Sequence, residues 1–409
     1  MRAAIALVVI AACGRSSAAP PSPVVVNGGA PVSPLPALPP TETPAEAMGT
    51  LAADALGSAR TGDLGALAGV MLQHASVTGR LDDYVEADRA TARWIAIAPK
   101  SADAHLARAK VLGTLHRFAD ARRELARARA LGANESTIAL REIDLDQATG
   151  DLDRAIAGRA LAWQQGPNLV SATMYALALA ERGDDREALA LMPRGLATWR
   201  DPSAIPFAWF LFQWARLAEE RDDRVLARAL YAEALRRVPR YGEAARHLAA
   251  LDVTSGDDAR AKQRLDALDA IDPHPETTAM RAEIALRTGD PRGPALRDAA
   301  RAGWERYLAA YPDAFSDHAA RFYLGVGGDP RRALALAETN VRNRHTAEAL
   351  ALAIEAALAA DRTDRACELA AELAALGPAP ERHRFTAWKA FGRCGRISDA
   401  DRLGRELGL

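Results

Sequence analysis

Small apolar residues return along this chain at fixed distances from a turn-forming residue. Ten such turn positions, Asp82, His116, Gly150, Gly183, Asp222, Gly256, Gly289, Gly328, Asp361 and Gly395, are separated by 34, 34, 33, 39, 34, 33, 39, 33 and 34 residues. Five residues after nine of them stands an alanine (Ala87, Ala121, Ala155, Ala188, Ala227, Ala261, Ala333, Ala366, Ala400), and only the seventh unit departs, with Pro294. Seven residues before six of them stands another: Ala75, Ala109, Ala176, Ala215, Ala249 and Ala282. Each unit reads as helix, tight turn, helix, stop. In the third, Glu135 to Thr149 predicts one helix, Gly150-Asp151 the turn, Leu152 to Gln165 the second helix, and Gly166-Pro167 its end. Glycine supplies the positive φ of a tight helix exit, an aspartate after it can accept from the free amides of the next helix, and proline cannot continue a helix. Two antiparallel helices approach most closely beside their turn, so the alanines on either side of it predict the facing contact of a hairpin.

A fixed period of this length signals a stack of helical hairpins. The residues resemble the tetratricopeptide repeat (TPR) family, whose unit has small residues at the eighth and twentieth positions and proline at the thirty-second. With the turn residues at the fifteenth position, Pro99, Pro167, Pro239, Pro273 and Pro378 match the closing proline, and the resemblance covers roughly residues 68–409. The family's large aromatics are mostly absent, with Tyr231 alone in the second-helix aromatic position, and Asp or His replaces the turn glycine in four units. The resemblance implies an all-α, right-handed helical-hairpin solenoid of about ten repeats. A hairpin of helices of ~14 residues is marginal alone in water, so nearest-neighbour burial must carry the stability. The two 39-residue steps, at Arg200 to Phe207 and after Gly289, read as tolerated insertions.

The N-terminus predicts an address and a tether. Met1-Arg2, the apolar run Ala3 to Ala12 and then Cys13-Gly14 resemble a bacterial lipoprotein signal, with residues 1–12 removed and Cys13 lipidated. That run is too short to span a bilayer. Residues 13–44, rich in Pro, Ser and Gly, read as a disordered or polyproline-like tether, and residues 45–67 as a capping helical segment. The chain is therefore expected to be exported and held by its lipid at the cell envelope; by resemblance to the usual sorting rule, Gly14 points to the outer membrane, facing the periplasm. In an exported protein Cys367 and Cys394 are candidates for a disulfide, because the helix ends that carry them share an edge of the stack.

Composition narrows the function. The chain is 49% hydrophobic and 26% charged, with a formal net charge of −1, and its arginines are interleaved with Asp and Glu, so no basic face offers itself to nucleic acid. Phosphate-binding, zinc-protease and nucleophile-elbow motifs are missing, and the eight histidines lack metal-ligand spacing. Asp222-Asp223 and Asp257-Asp258 read as helix caps. These readings predict a protein without catalysis, metal, cofactor or small-molecule substrate.

By resemblance to the family, the first helix of each hairpin lines a concave groove. The expected partner-binding residues are Trp209, Phe212, Arg216 and Glu219 in the fifth repeat, with Leu177, Glu243, Arg246, Phe385 and Lys389 elsewhere. Aromatics and arginine dominate binding hot spots. Phe210, Trp214 and Leu217 fit a core role by helical spacing. The expected partner is a protein or extended peptide, and the expected function is a scaffold of the bacterial envelope. The alternative is an accessory subunit of an envelope enzyme or of a secretion or assembly complex.

Overall fold

The structure, a computed structural model, describes residues 35–409. The signal, Cys13 and most of the expected tether lie outside the described residues. Helix α1 (Pro44–Thr61) precedes ten hairpins: α2/α3 (Leu64–Thr78, Leu81–Ile97), α4/α5 (Ala102–Thr114, Phe118–Ala130), α6/α7 (Glu135–Thr149, Leu152–Gln165), α8/α9 (Leu169–Arg182, Asp185–Leu196) and α10/α11 (Ala204–Glu220, Arg224–Arg237). The remainder are α12/α13 (Gly242–Thr254, Asp258–Asp269), α14/α15 (Pro275–Thr288, Gly293–Ala310), α16/α17 (Pro312–Leu324, Pro330–Asn343), α18/α19 (Ala347–Ala359, Thr363–Ala375) and α20/α21 (Glu381–Arg393, Ile397–Leu407). The described residues contain no strand. The fold is an all-α helical solenoid.

The punctuation works as the residue types dictate. Every hairpin turns on a residue with positive φ, and His116, Asp222 and Asp361 are the described non-glycine residues in that region. The first turn falls at Gly79 (φ 75°) rather than at Asp82, which lies in the opening turn of α3. Ala121, Ala155, Ala188, Ala227, Ala261, Ala333 and Ala366 are fully buried, and so are Ala176, Ala215, Ala249 and Ala282 on the facing helices. Asp223 and Asp257 cap their helices, each accepting from a backbone amide at 3.0 Å. Asp151 does not cap; its carboxylate faces Arg154 instead.

The aromatic run of the fifth hairpin is core. Trp199, Phe207, Phe210 and Trp214 form a chain of ring contacts at 5.7, 5.9 and 5.6 Å. The insertion before α10 receives the residues ahead of α1. Glu42 N donates to the Pro202 carbonyl at 2.8 Å, the Glu42 carboxylate accepts from Ala204 N at 2.9 Å, and Arg237 donates to the Thr41 hydroxyl at 2.9 Å. Ser203, the residue before α10, makes no side-chain cap, so a carboxylate from 162 residues earlier in the chain supplies what the helix start lacks.

The solenoid winds onto itself. The turn of the first hairpin meets the connector after the sixth, where a Cβ on Gly79 would lie 3.0 Å from the His274 ring. The turn of the second meets the start of α16, just after the seventh hairpin, His116 Nδ1 donating to the Asp313 carbonyl at 3.1 Å. The turn of the third abuts the connector after the eighth, with Gly150 against the His345 carbonyl. The fourth abuts the connector after the ninth, with Gly183 against the Ala379 carbonyl. These partners are 195, 197, 195 and 196 residues apart, a constant register that defines one superhelical turn resting on the next. Asn343 donates to the His116 carbonyl and Tyr307 to the Gly79 carbonyl along the same seam.

Candidate functional site: a charged superhelical axis

Winding this tight turns the expected open groove into an axis crowded with charge. Near the middle, Arg246 is buried between Glu243 (3.0 Å) and Glu276 (3.2 Å). Glu219 accepts from the Tyr231 hydroxyl at 2.7 Å and from His247 Nδ1 at 2.9 Å. Arg216 reaches Glu220 at 3.3 Å, and Glu220 also receives Arg382 from the tenth hairpin at 3.2 Å, an ion pair between successive superhelical turns. Arg344 faces Asp317 at 3.3 Å, and Arg321 faces Glu348 at 2.9 Å. Burial works against the Glu348 carboxylate, but Arg321 and Arg344 outweigh it and hold the group below the ordinary carboxylate range. Removing one member of such a pair would leave a buried charge unanswered.

Two cavities open along this axis. One, of about 100 Å³, is lined by Gln147, Leu177, Glu181, Arg216, Glu220, Arg344, Glu348, Arg382 and His383, among others. Three of its side chains, Arg216, Arg344 and His383, are more than nine-tenths buried, and Arg216 Nε, Arg344 Nε and His383 Nδ1 have no hydrogen-bond partner. His383 Nε2 accepts from Arg382 Nε at 3.2 Å. Burial, with the Arg382 charge beside it, holds the imidazole down to about 3. The ring is therefore neutral, and its Nδ1–H is a donor. Buried donors without acceptors cost ~1–3 kcal/mol each, so an acceptor atom placed beside any of them would be favoured. The second cavity, about 240 Å³, lies between the second, third and fourth hairpins and shares Arg344 with the first. Lys110, Asp144, Leu177 and Arg216 each stand six residues before the turn of their hairpin, so one repeat position lines both cavities.

The expected groove residues separate into four groups. Leu177 and Arg216 line the smaller cavity. Glu219, Glu243 and Arg246 belong to the buried ion-pair network, and Phe212 is core. It is 2% exposed, packed on Tyr231, Tyr241 and His247 at 5.8, 5.2 and 5.4 Å. A ring so enclosed cannot present itself to a partner, which corrects the groove assignment for Phe212. Trp209, one residue out of register with Phe210, is half-buried against the same core. Phe385 and Lys389 are exposed on the tenth hairpin, where Phe385 stacks on Trp388 at 5.2 Å and Lys389 Nζ lies 5.2 Å from the Phe385 ring centre. Cys367 and Cys394 are joined as a disulfide, with Cα atoms 6.2 Å apart.

Arg344, His383 and Lys110 went unnoticed in the sequence. Arg344 and His383 flank connectors between hairpins, where the repeat pattern carries no signal. Lys110 could have been found, because it and Lys389 hold the same repeat position and are two of only four lysines. Among the described residues no cluster of His, Cys, Asp and Glu could hold a metal ion, and no helix is long and apolar enough to cross a membrane.

No protein-family model matches the chain, and no curated protein matches it. Among solved structures it is similar to the crystal structure of yeast Tom70, at 13% identity and a TM-score of 0.38, covering 88% of this chain and 91% of that one. It is also similar to a tetratricopeptide repeat protein from Parabacteroides merdae, at 18% identity and a TM-score of 0.36, covering 62% of this chain and 97% of that one. Independently of these distant likenesses, ten hairpins at a period near 34 residues, closed on paired small positions, make the chain an all-α helical-hairpin solenoid.

Proposed function

We propose that the protein is a non-catalytic scaffold that binds a protein or extended peptide at the bacterial cell envelope. The observation that carries the reading is the tenth hairpin. Its exposed Phe385, stacked on the partly buried Trp388 and with exposed Lys389 alongside, lies on the same helix as Arg382 and His383 of the smaller cavity. An exposed aromatic ring backed by a second and set beside a cation has the composition of a binding hot spot. A partner with an apolar residue for the ring pair and an acidic one for Lys389 would match it. The envelope address rests on the apolar run Ala3 to Ala12 followed by Cys13.

Two experiments test the two parts. Cross-linking in cells followed by capture should recover a partner with the native chain and lose it with the Phe385→Ala, Lys389→Ala double variant, whose sites are both exposed. An unchanged set of captured proteins rules out this surface. Cys13→Ala should move the protein out of the membrane fraction, and retention there would contradict the lipid anchor.

A further inference from the structure

We infer that the larger axial cavity is a binding site for a small organic carboxylate with an apolar body. The inference is independent of the scaffold reading, since this cavity lies among the second to fourth hairpins, away from Phe385 and Lys389.

Charge is the first observation. Lys110, Arg141, Arg159 and Arg344 line the cavity against a single carboxylate among the lining residues, Asp144. That carboxylate is already engaged by Arg159 at 2.6 Å and Arg141 at 3.0 Å. Arg344 has Asp317 on its far side, yet its Nε–H, on a side chain 5% exposed, donates to nothing. Lys110 stands exposed at the mouth. Burial of its surroundings and the nearby Arg141 charge hold its ammonium below the ordinary lysine range, and Asp144 attracts it too little to compensate. An added anion would answer Lys110 and the free Arg344 donor together.

Shape and polarity are the second observation. Phe118, Leu125, Leu145 and Met174 form an apolar lining in the same cavity, and the first three are buried. A bare inorganic anion would leave that surface in water, and a neutral apolar molecule would leave the cations unanswered. A few convergent charged groups over an apolar surface is the composition of a small-molecule site. At about 240 Å³ the space suits a small acid. The seam builds the site, because Arg344 arrives from the connector after the eighth hairpin.

The test is calorimetric titration of the full chain with 3-phenylpropionate, 3-phenylpropan-1-ol and inorganic phosphate. The carboxylate should bind at millimolar concentration or below. The alcohol and phosphate should each be at least about tenfold weaker, as expected when charge-assisted hydrogen bonds and apolar burial each contribute. Lys110→Gln should weaken the carboxylate about fivefold to tenfold, and Met174→Trp, which fills the cavity without touching a charge, should abolish binding. Unchanged thermal unfolding of the exposed Lys110→Gln variant keeps the result interpretable if Met174→Trp misfolds. The inference is overturned if the alcohol or phosphate binds as tightly as the carboxylate. It is equally overturned if Lys110→Gln has no effect, if a folded Met174→Trp still binds, or if the carboxylate does not bind at all.

Discussion

Gly150 and Asp361 occupy the same place in two hairpins and meet different surroundings. Both hold the chain in the left-handed region, at φ 101° and 55°. Asp361 is exposed, and its only burden is the backbone, about 1–2 kcal/mol for a residue with a Cβ. Gly150 bears in addition the connector of the next superhelical turn, whose His345 carbonyl fills the space a side chain would need. The hairpin asks for a conformation at every turn; the seam asks for absence of a side chain at some of them. Gly79 and Gly183 meet the same demand. His116 meets it in another way, by directing its ring to the Asp313 carbonyl so that the side chain becomes part of the contact.

The largest effect is expected at the seam. Gly150→Val should destabilise the protein by about 4 kcal/mol, from left-handed strain plus overpacking, whereas Asp361→Ala should cost under about 1 kcal/mol, since that residue already carries the strain. Denaturant unfolding of the two variants measures the difference. Equal losses would break the comparison. Next in size is the disulfide. The Cys367–Cys394 bond ties the ninth hairpin to the tenth and spans 27 residues. Chain entropy alone makes such a closure worth about 3.5 kcal/mol. Reduction should lower the melting temperature and release amide protection in α20 and α21 first, readable by hydrogen exchange.

Acid should act on the seam before the open turns. Burial, aided by the Arg344 charge, pushes His116 down to about 3 from its usual 6.5. The unfolded chain therefore takes the proton first as pH falls. The stabilisation is complete above about pH 6.5 and is lost toward pH 3, at up to about 1.4 kcal/mol per pH unit. His116→Asn, which keeps a residue tolerant of positive φ, should flatten that part of the stability profile. An unaltered profile would show that the ring protonates freely. The smallest effect is at the open turn itself. Asp361→Gly should stabilise by about 0.5–1 kcal/mol, the relief of left-handed strain less the entropy of the added glycine, seen as a small rise in denaturation midpoint.

Local features of the fold were legible because they are local. Turn residues, flanking alanines and closing prolines act within one hairpin, and Cys367 and Cys394 within two. The slip from Gly79 to Asp82 arose because the Ala75 and Ala87 spacing mimics the repeat while the turn sits three residues earlier. Winding is different. It accumulates from small rotations between neighbours over some 196 residues, and no single unit encodes it. An open groove was therefore expected where the axis closes, and Phe212, placed by family position, lies in the core. Arg344 became visible only when the second superhelical turn brought it beside Lys110 and Arg159.

The contact between superhelical turns is the claim on which both cavities depend, and a distance across it tests that claim most directly. Spin labels at Asp151 and Arg342, both exposed and on opposite sides of the Gly150–His345 contact, should give one narrow distribution at the short end of the range measured by pulsed electron resonance. A broad or long distribution, as for an open solenoid whose turns stand apart, would contradict the account.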